Sequence, residues 1–354
     1  MAWLVALAAF IVTVALTGAV RRLVLSRGLV DVPNARSSHS RPTARGGGIA
    51  IVLVVLAGSG LLMLRDGVMT AAAVGLLAGG ALVAWIGFLD DRGHVPAHLR
   101  LLVHVVALGG ALAAIGGLPP VPLQGGTVDL GLAGDAVACI ACLWFLNLFN
   151  FMDGIDGIAA SEAAFVSMAA AALSGTTGAP ASLVMLWLLV GAASLGFLAW
   201  NWPPARIFMG DVGSGFLGFA IALLLVVSTG LSGLSVWTAT ILIAPFFADA
   251  TVTLVARIAR GERWYSAHRS HAYQWLSRRW GSHARVTWAF ILINGILVLP
   301  AAWWSSQQPR HAPWVTLAVL ALLCGVARVA GAGRPEPAAS RPGAAPTHDN
   351  ESSR

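Results

Sequence analysis

The sequence predicts an all-α membrane protein that crosses the bilayer about ten or eleven times. Three observations carry that prediction. Only 10% of the 354 residues are charged, while 57% are hydrophobic. Soluble domains carry roughly 25% charged residues, and a globule this poor in charge could not cover its surface. The apolar residues also fall in runs of the length, about 20 residues, that an α-helix needs to span a bilayer. Finally, the basic residues, all of them Arg, are distributed very unequally among the connecting loops.

Apolar runs bounded by Gly, Pro and charge place eleven candidate spans. They lie near 3–24, 46–64, 69–89, 98–117, 136–152, 158–174, 181–200, 213–230, 235–256, 286–304 and 314–330. The first lacks a basic leader and a cleavage site, so it is expected to remain as a span. With the loop 25–45 on the inside, the loops of the opposite side hold only Arg65 and Arg310, and the other twenty Arg fall inside or on its flanks. The positive-inside rule then puts the amino terminus in the periplasm and the carboxyl terminus in the cytoplasm. Residues 1–330 form one transmembrane domain in this reading, and residues 331–354, rich in Pro, Ala, Ser and charge, a disordered cytoplasmic tail. Cys139 and Cys142 have CxxC spacing, but the third cysteine, Cys324, cannot complete a second pair; small core residues are expected.

With that orientation the polar segments gather on the cytoplasmic face. Asp90 and Asp91 end the third span, where two like charges beside a negative helix terminus call for a cation or for Arg92. Asn147, Asn150 and Asp153 recur every third residue on one broad helix face, followed by Gly154, Asp156 and Gly157. Polar groups at that depth must face protein or water. Asp211, in Phe208-Met209-Gly210-Asp211, opens the eighth span, either as a helix cap or beside amide groups that suit phosphate oxygens. His268 and His271 lie in a basic loop, as proton carriers, phosphate donors or incidental surface residues. Arg36, Arg41 and Arg45 precede a Gly run at the mouth of the second span. Glu162 sits in the first turns of span six, where the helix dipole alone would favour it, and Asp249, inside span nine, is a second-rank candidate. Carboxylates clustered with glycine turns suit Mg²⁺ held by one or two Asp plus substrate phosphates.

This ordered set resembles the polyprenyl-phosphate N-acetylhexosamine-1-phosphate transferases over about residues 20–285. The resemblance implies transfer of an N-acetylhexosamine 1-phosphate, or a deoxy derivative, from a UDP-sugar to undecaprenyl phosphate. UMP is released and a cell-envelope glycan such as O-antigen is begun. It further implies Asp90, Asp91, Asp156 and His271 as catalytic residues, and Asp211 as ligand of Mg²⁺ or Mn²⁺. Asn147, Asn150, Asp153, Arg36, Arg41, Arg45 and His268 would contact substrate. The text His268-Arg269-Ser270-His271 has fewer His than the corresponding loop of the peptidoglycan translocases and is more similar to the O-antigen-initiating branch.

The expected setting is the bacterial inner membrane. The expected partners are the nucleotide sugar, the lipid phosphate and the bilayer, with a homodimer left open and no nucleic acid. Three rivals are weighed. The phospho-N-acetylmuramoyl-pentapeptide transferases are the nearest. A CDP-alcohol phosphatidyltransferase would follow its Asp-Gly with Ala-Arg, whereas Ile158-Ala159-Ala160 follows here. A transporter should show repeated halves and acids near the bilayer midplane.

Overall fold

The computed structural model describes residues 2–28, 30–31, 42–66, 71–123, 126–262 and 268–335. Among these, ten helices are long and apolar enough to cross a bilayer, and a bent pair makes an eleventh. They are α1 (Ala2–Ser26), α2 (Gly48–Asp66), α3 (Ala71–Arg92), α4 (Ala97–Ile115), α5 (Gly131–Met152), α6 (Ile158–Thr176), α7 (Ala181–Asn201) and α8 (Asp211–Leu231). The bent pair α9 (Val236–Leu242) and α10 (Ala244–Ala259) follows, then the short α11 (Ala272–Trp280). The chain ends on α12 (His283–Ile293), which runs through a π-helical turn at Asn294–Val298 into α13 (Leu299–Gln307), and on α14 (Ala312–Ala330).

The eleven expected spans are therefore all present, with three differences. The fifth begins at Gly131, five residues early, because Asp135 turns back to accept the Leu118 amide at 2.6 Å and so fits a helix start. The ninth is broken by 78° at Ile243, just before Pro245, whose ring and missing N–H cannot continue a helix. The basic loop after α10 is partly helical: Ala272–Trp280 forms α11, ended by Gly281 in a left-handed conformation.

Helix α8 is the hub. In its apolar window 89% of residues are buried, against 28% for α1, α4 and α14. The enclosed helices can afford small residues and hydroxyls. In the bundle interior Trp187 donates to Ser228 at 2.9 Å, and Trp200 donates to the Val14 carbonyl at 2.9 Å, tying α7 to α8 and to α1. The peripheral helices instead present Leu, Val, Ile and Trp outward, as lipid requires.

One end of the bundle gathers the carboxyl ends of α3, α5, α7 and α10 and the amino ends of α2, α4, α6, α8 and α12. A small sheet organises it. The strand β1 (Val30–Asp31) pairs antiparallel with β2 (Thr43–Arg45), which pairs parallel with β5 (Ile207–Phe208) in the register Arg45↔Phe208. The chain then draws α2 against α8: Gly48 donates to the Met209 carbonyl at 2.9 Å, and a Cβ at Gly48 would strike the Gly213 backbone. A two-stranded hairpin, β3 (Val121–Leu123) and β4 (Gly126–Val128), lies at the other end. The three cysteines are free thiols; Cys142 is a buried core residue, as expected, whereas Cys139 and Cys324 are half-buried. Residues 331–335, assigned above to the tail, instead fold back: Ala332 is fully buried.

Candidate active site

The sheet register sets the site. Arg45, at the end of β2, stands beside the Phe208–Asp211 segment. Its guanidinium reaches Asp91 at 2.9 Å and Asp211 at 3.1 Å. Arg100, in the first turn of α4, matches it from the other side, 2.7 Å from Asp90 and 3.1 Å from Asp211. Asp211 thus lies between two arginines, each of which also holds one member of the Asp90–Asp91 pair.

The two neighbouring acids have different work. Asp91 accepts the backbone N–H groups of Asp211 at 2.9 Å and Val212 at 3.1 Å, so it caps α8 from another helix. A carboxylate there satisfies orphan donors and meets the positive end of the dipole. The amides expected to face phosphate are therefore already taken. Gly210 is required at this junction: its φ is +78°, and a Cβ would collide with the Asp91 carboxylate. Asp90 accepts the Val95 amide at 2.8 Å, fixing the turn between α3 and α4.

From α5, Asn150 reaches Asp211 at 3.4 Å and accepts from Ser214 at 3.3 Å. Asp153, just past the end of α5, donates its backbone N–H to the Asn150 carbonyl at 3.2 Å, but its carboxyl group has no hydrogen bond or ion pair to a described residue. Burial, followed by the charge of Asp211, pushes its carboxyl well above the usual carboxylate range. Asn147 does not join them: its amide donates to the Leu143 carbonyl at 2.7 Å, one turn back on its own helix. Asp156 is turned aside as well. It accepts the Ala205 amide at 3.0 Å and lies 3.3 Å from His283, while its carbonyl accepts from Thr287. These bonds make it an anchor for α12 and the segment before β5.

The histidine loop forms the adjoining wall. His271 is 3% exposed, stacked between His268 at 4.9 Å and Tyr273 at 5.6 Å. Burial and the neighbouring His271 push His268 down to about 3, so it is neutral at physiological pH. Asp249 accepts the amides of Ala272 at 2.8 Å and Tyr273 at 3.0 Å, and lies 3.5 Å from the His271 ring. Tyr273 donates to the Phe151 carbonyl at 2.9 Å and packs on Gly154, where a Cβ would strike its hydroxyl. The glycine after Asp153 thus makes room for Tyr273, and the histidine wall meets the acidic cluster there.

Arg36 and Arg41 lie outside the described residues. Arg100 and His283 were absent from the expected set. An Arg in the first turn of a span reads as inside-facing charge, and His283 reads as surface. Asp249 had only its depth to mark it, and its work as a cap for α11 shows only in three dimensions.

Asp90, Asp91, Asp153 and Asp211 stand with two guanidinium groups, so ionising all four would leave two negative charges for a bound cation to offset. Among the described residues no three His, Cys, Asp or Glu converge into a closed metal cage. That donor set fits a divalent cation held by one or two carboxylates and completed by substrate oxygens, the usual habit of Mg²⁺.

The sequence model of glycosyl transferase family 4 matches residues 73–229, which include Asp90, Asp91, Asn150, Asp153 and Asp211. The chain is 28% identical over 294 residues to the probable undecaprenyl-phosphate N-acetylglucosaminyl 1-phosphate transferase of Bacillus subtilis, covering 81% of this chain and 80% of that one. It is 30% identical over 359 residues to the decaprenyl-phosphate N-acetylglucosaminephosphotransferase of Mycobacterium leprae, covering 92% and 89%. Its similarity to the phospho-N-acetylmuramoyl-pentapeptide-transferase of Micrococcus luteus, 33%, extends over 101 residues, 27% of this chain and 24% of that one.

Proposed function

The chain belongs to glycosyl transferase family 4, among the polyprenyl-phosphate N-acetylhexosamine-1-phosphate transferases, and from that premise we propose that it transfers N-acetylglucosamine 1-phosphate, or a close N-acetylhexosamine analogue, from the UDP-sugar to undecaprenyl phosphate. A lipid phosphate oxygen attacks the β-phosphorus of the donor. The bond from that phosphorus to the bridging oxygen breaks, and UMP leaves with the electron pair. The product, a polyprenyl diphosphate sugar, begins O-antigen or another envelope glycan at the cytoplasmic face of a bacterial inner membrane.

The observation that carries this reading is the pairing of three carboxylates, Asp90, Asp91 and Asp211, with Arg45 and Arg100 around the start of α8. Phosphoryl transfer asks little covalent chemistry of the protein and much positioning and charge neutralisation. A phosphate monoester with a second pKa of about 6 is already largely dianionic at neutral pH, so the attack needs no strong base. That relieves Asp90 and Asp91 of the basic role and fits their engagement with backbone amides. Arg45 and Arg100 bind phosphate oxygens and orient the two anions. Asp211 and Asp153 would hold Mg²⁺ or Mn²⁺, which supplies charge neutralisation and Lewis acidity at the diphosphate. His271, stacked on the Tyr273 that packs on Gly154, would donate a ring N–H to a phosphate at the Asp153 side.

The extent of the similarity favours N-acetylglucosamine over the muramoyl-pentapeptide donor: the former relatives match most of the chain, the latter a quarter. The test is purified protein with undecaprenyl phosphate and a panel of UDP-sugars, with products identified by mass. A lipid product from UDP-N-acetylglucosamine or a close analogue is expected. Efficient turnover of UDP-N-acetylmuramoyl-pentapeptide alone would move the chain to the peptidoglycan branch.

A further inference from the structure

We propose that the turn Gly331-Ala332-Gly333, which follows the last transmembrane helix, is a positioning element for His271. The proposal rests on the transferase reading for its link to turnover, but its geometry stands apart from that reading.

His271 is the N-cap of α11, with its ring stacked between His268 and Tyr273 and 3.5 Å from the Asp249 carboxylate. Stacking on His268 and Tyr273 fixes the plane of the ring but not the peptide that carries it. The peptide is held from two sides. On the far side of His271, Asp249 accepts the amides of Ala272 and Tyr273. On the near side, the Ser270 carbonyl accepts the Gly333 amide at 2.8 Å. Rotation of the 270–271 peptide, which would swing the imidazole, must break this bond.

The turn is built to deliver that amide. Gly331 and Ala332 both donate to the Ala327 carbonyl, at 3.1 and 2.9 Å, ending α14 in a left-handed glycine with φ of 115°. Ala332 is fully buried with Ala272 and Ala327, so the turn and the first residue of α11 share one small apolar contact. Trp275 lies over Gly331, 2.9 Å from where a Cβ would stand. Gly333 has a φ of +72°, and a Cβ there would strike Ala256 on α10. The Arg260 guanidinium donates to the Gly333 carbonyl and fixes the same peptide from α10. An exposed tail would need none of these contacts. All of them lie outside residues 73–229, so the device is separate from the acidic cluster.

The experiment compares full-length wild type, Gly333→Val and Arg260→Gln in detergent, with Gly325→Ala on α14 as control, because a Cβ at Gly325 has open space around it. Four quantities are read: kcat and KM for UDP-N-acetylglucosamine, the melting temperature, and the rate at which diethyl pyrocarbonate modifies His271, followed by mass spectrometry. Misplacement of a reacting group by about 1 Å can cost roughly 100-fold. We expect kcat to fall at least about 10-fold in Gly333→Val and less in Arg260→Gln on that scale. KM should be little changed, and His271, protected in wild type and control, should become modified in both variants. Arg260→Gln adds no side chain at a crowded glycine, so it decides the matter if Gly333→Val does not fold. Wild-type kcat with a protected His271 overturns the proposal, as does a loss of kcat that leaves His271 protected. A wild type inactive on every donor would instead overturn the transferase reading, while the His271 modification rates would still decide the positioning claim.

Discussion

The Asp91 carboxylate caps the helix that Asp211 begins, accepting the Asp211 amide at 2.9 Å from a different transmembrane helix. The two side chains are further joined through Arg45, which contacts both. One acid therefore holds in place the helix end that displays the other. Asp91→Ala removes an N-cap, a loss typically worth about 1 kcal/mol, and leaves Arg45 with one partner. The expected outcome is a lowered melting temperature together with a loss of sugar-phosphate transfer. Asp91→Asn, which can still accept one amide, should recover most of the stability and little of the activity. Unaltered turnover in Asp91→Ala would reduce the cap to an ornament of the fold.

Asp211 is exposed to the opposite expectation. Asp211 is the first residue of α8 and not its cap, and Asn keeps the shape of the side chain and an oxygen to accept from an Arg, so Asp211→Asn should insert and melt close to wild type. Turnover should fall by two orders of magnitude or more, about 3 kcal/mol of lost transition-state stabilisation. EDTA should abolish wild-type activity, and Mg²⁺ or Mn²⁺ should restore it. Full activity in EDTA would take the cation out of the mechanism, leaving neutralisation to the arginines.

Arg100 bridges Asp90 and Asp211. Its replacement by Gln leaves those acids facing each other with one cation fewer, and like charges repel more strongly where water is scarce. Arg100→Gln should lose roughly 10- to 100-fold in kcat/KM, some 1.4 to 2.7 kcal/mol, and Arg100→Lys should recover part of it. Steady-state kinetics of the three proteins decide this, and a change below twofold in Arg100→Gln would dismiss Arg100 from the site.

Topology gives an independent check. Every residue of the acidic cluster lies at one end of the bundle, and the arginine distribution predicts that this end faces the cytoplasm. Reporters fused after Arg92, Asn201 or Trp280 should read cytoplasmic, and those after Arg65 or Leu130 periplasmic. A periplasmic signal at Trp280 would remove the histidine loop from the common face.

The spans were legible because length and hydropathy act locally, and each run of about twenty apolar residues reports its own fate. The clustering of Asp90, Asn150, Asp153 and Asp211 at one end followed from counting crossings. What escaped was the choice of partner. Arg45 and Arg100 look alike in sequence to any inside-facing Arg, yet among the described residues they bridge the acids, because β2 pairs with β5 and α4 starts beside α8. Asn147 and Asn150 share a broad helix face, but the first bonds back to Leu143 while the second bonds to Asp211 and Ser214 of α8. Asp156 carries the Asp-Gly signature of a site residue and is spent on Ala205 and His283. Glu162 found a partner that no local pattern marks, the Asn294 amide at 2.6 Å, in the π-helical turn of another span.

The central claim is that a phosphate travels with the sugar. The most direct measurement uses UDP-N-acetylglucosamine labelled with ³²P at the β-phosphate, incubated with purified protein, Mg²⁺ and undecaprenyl phosphate, then partitioned between butanol and water. The account predicts that the label enters the lipid phase in step with release of unlabelled UMP. Label retained in water as UDP, with sugar alone on the lipid, would contradict it.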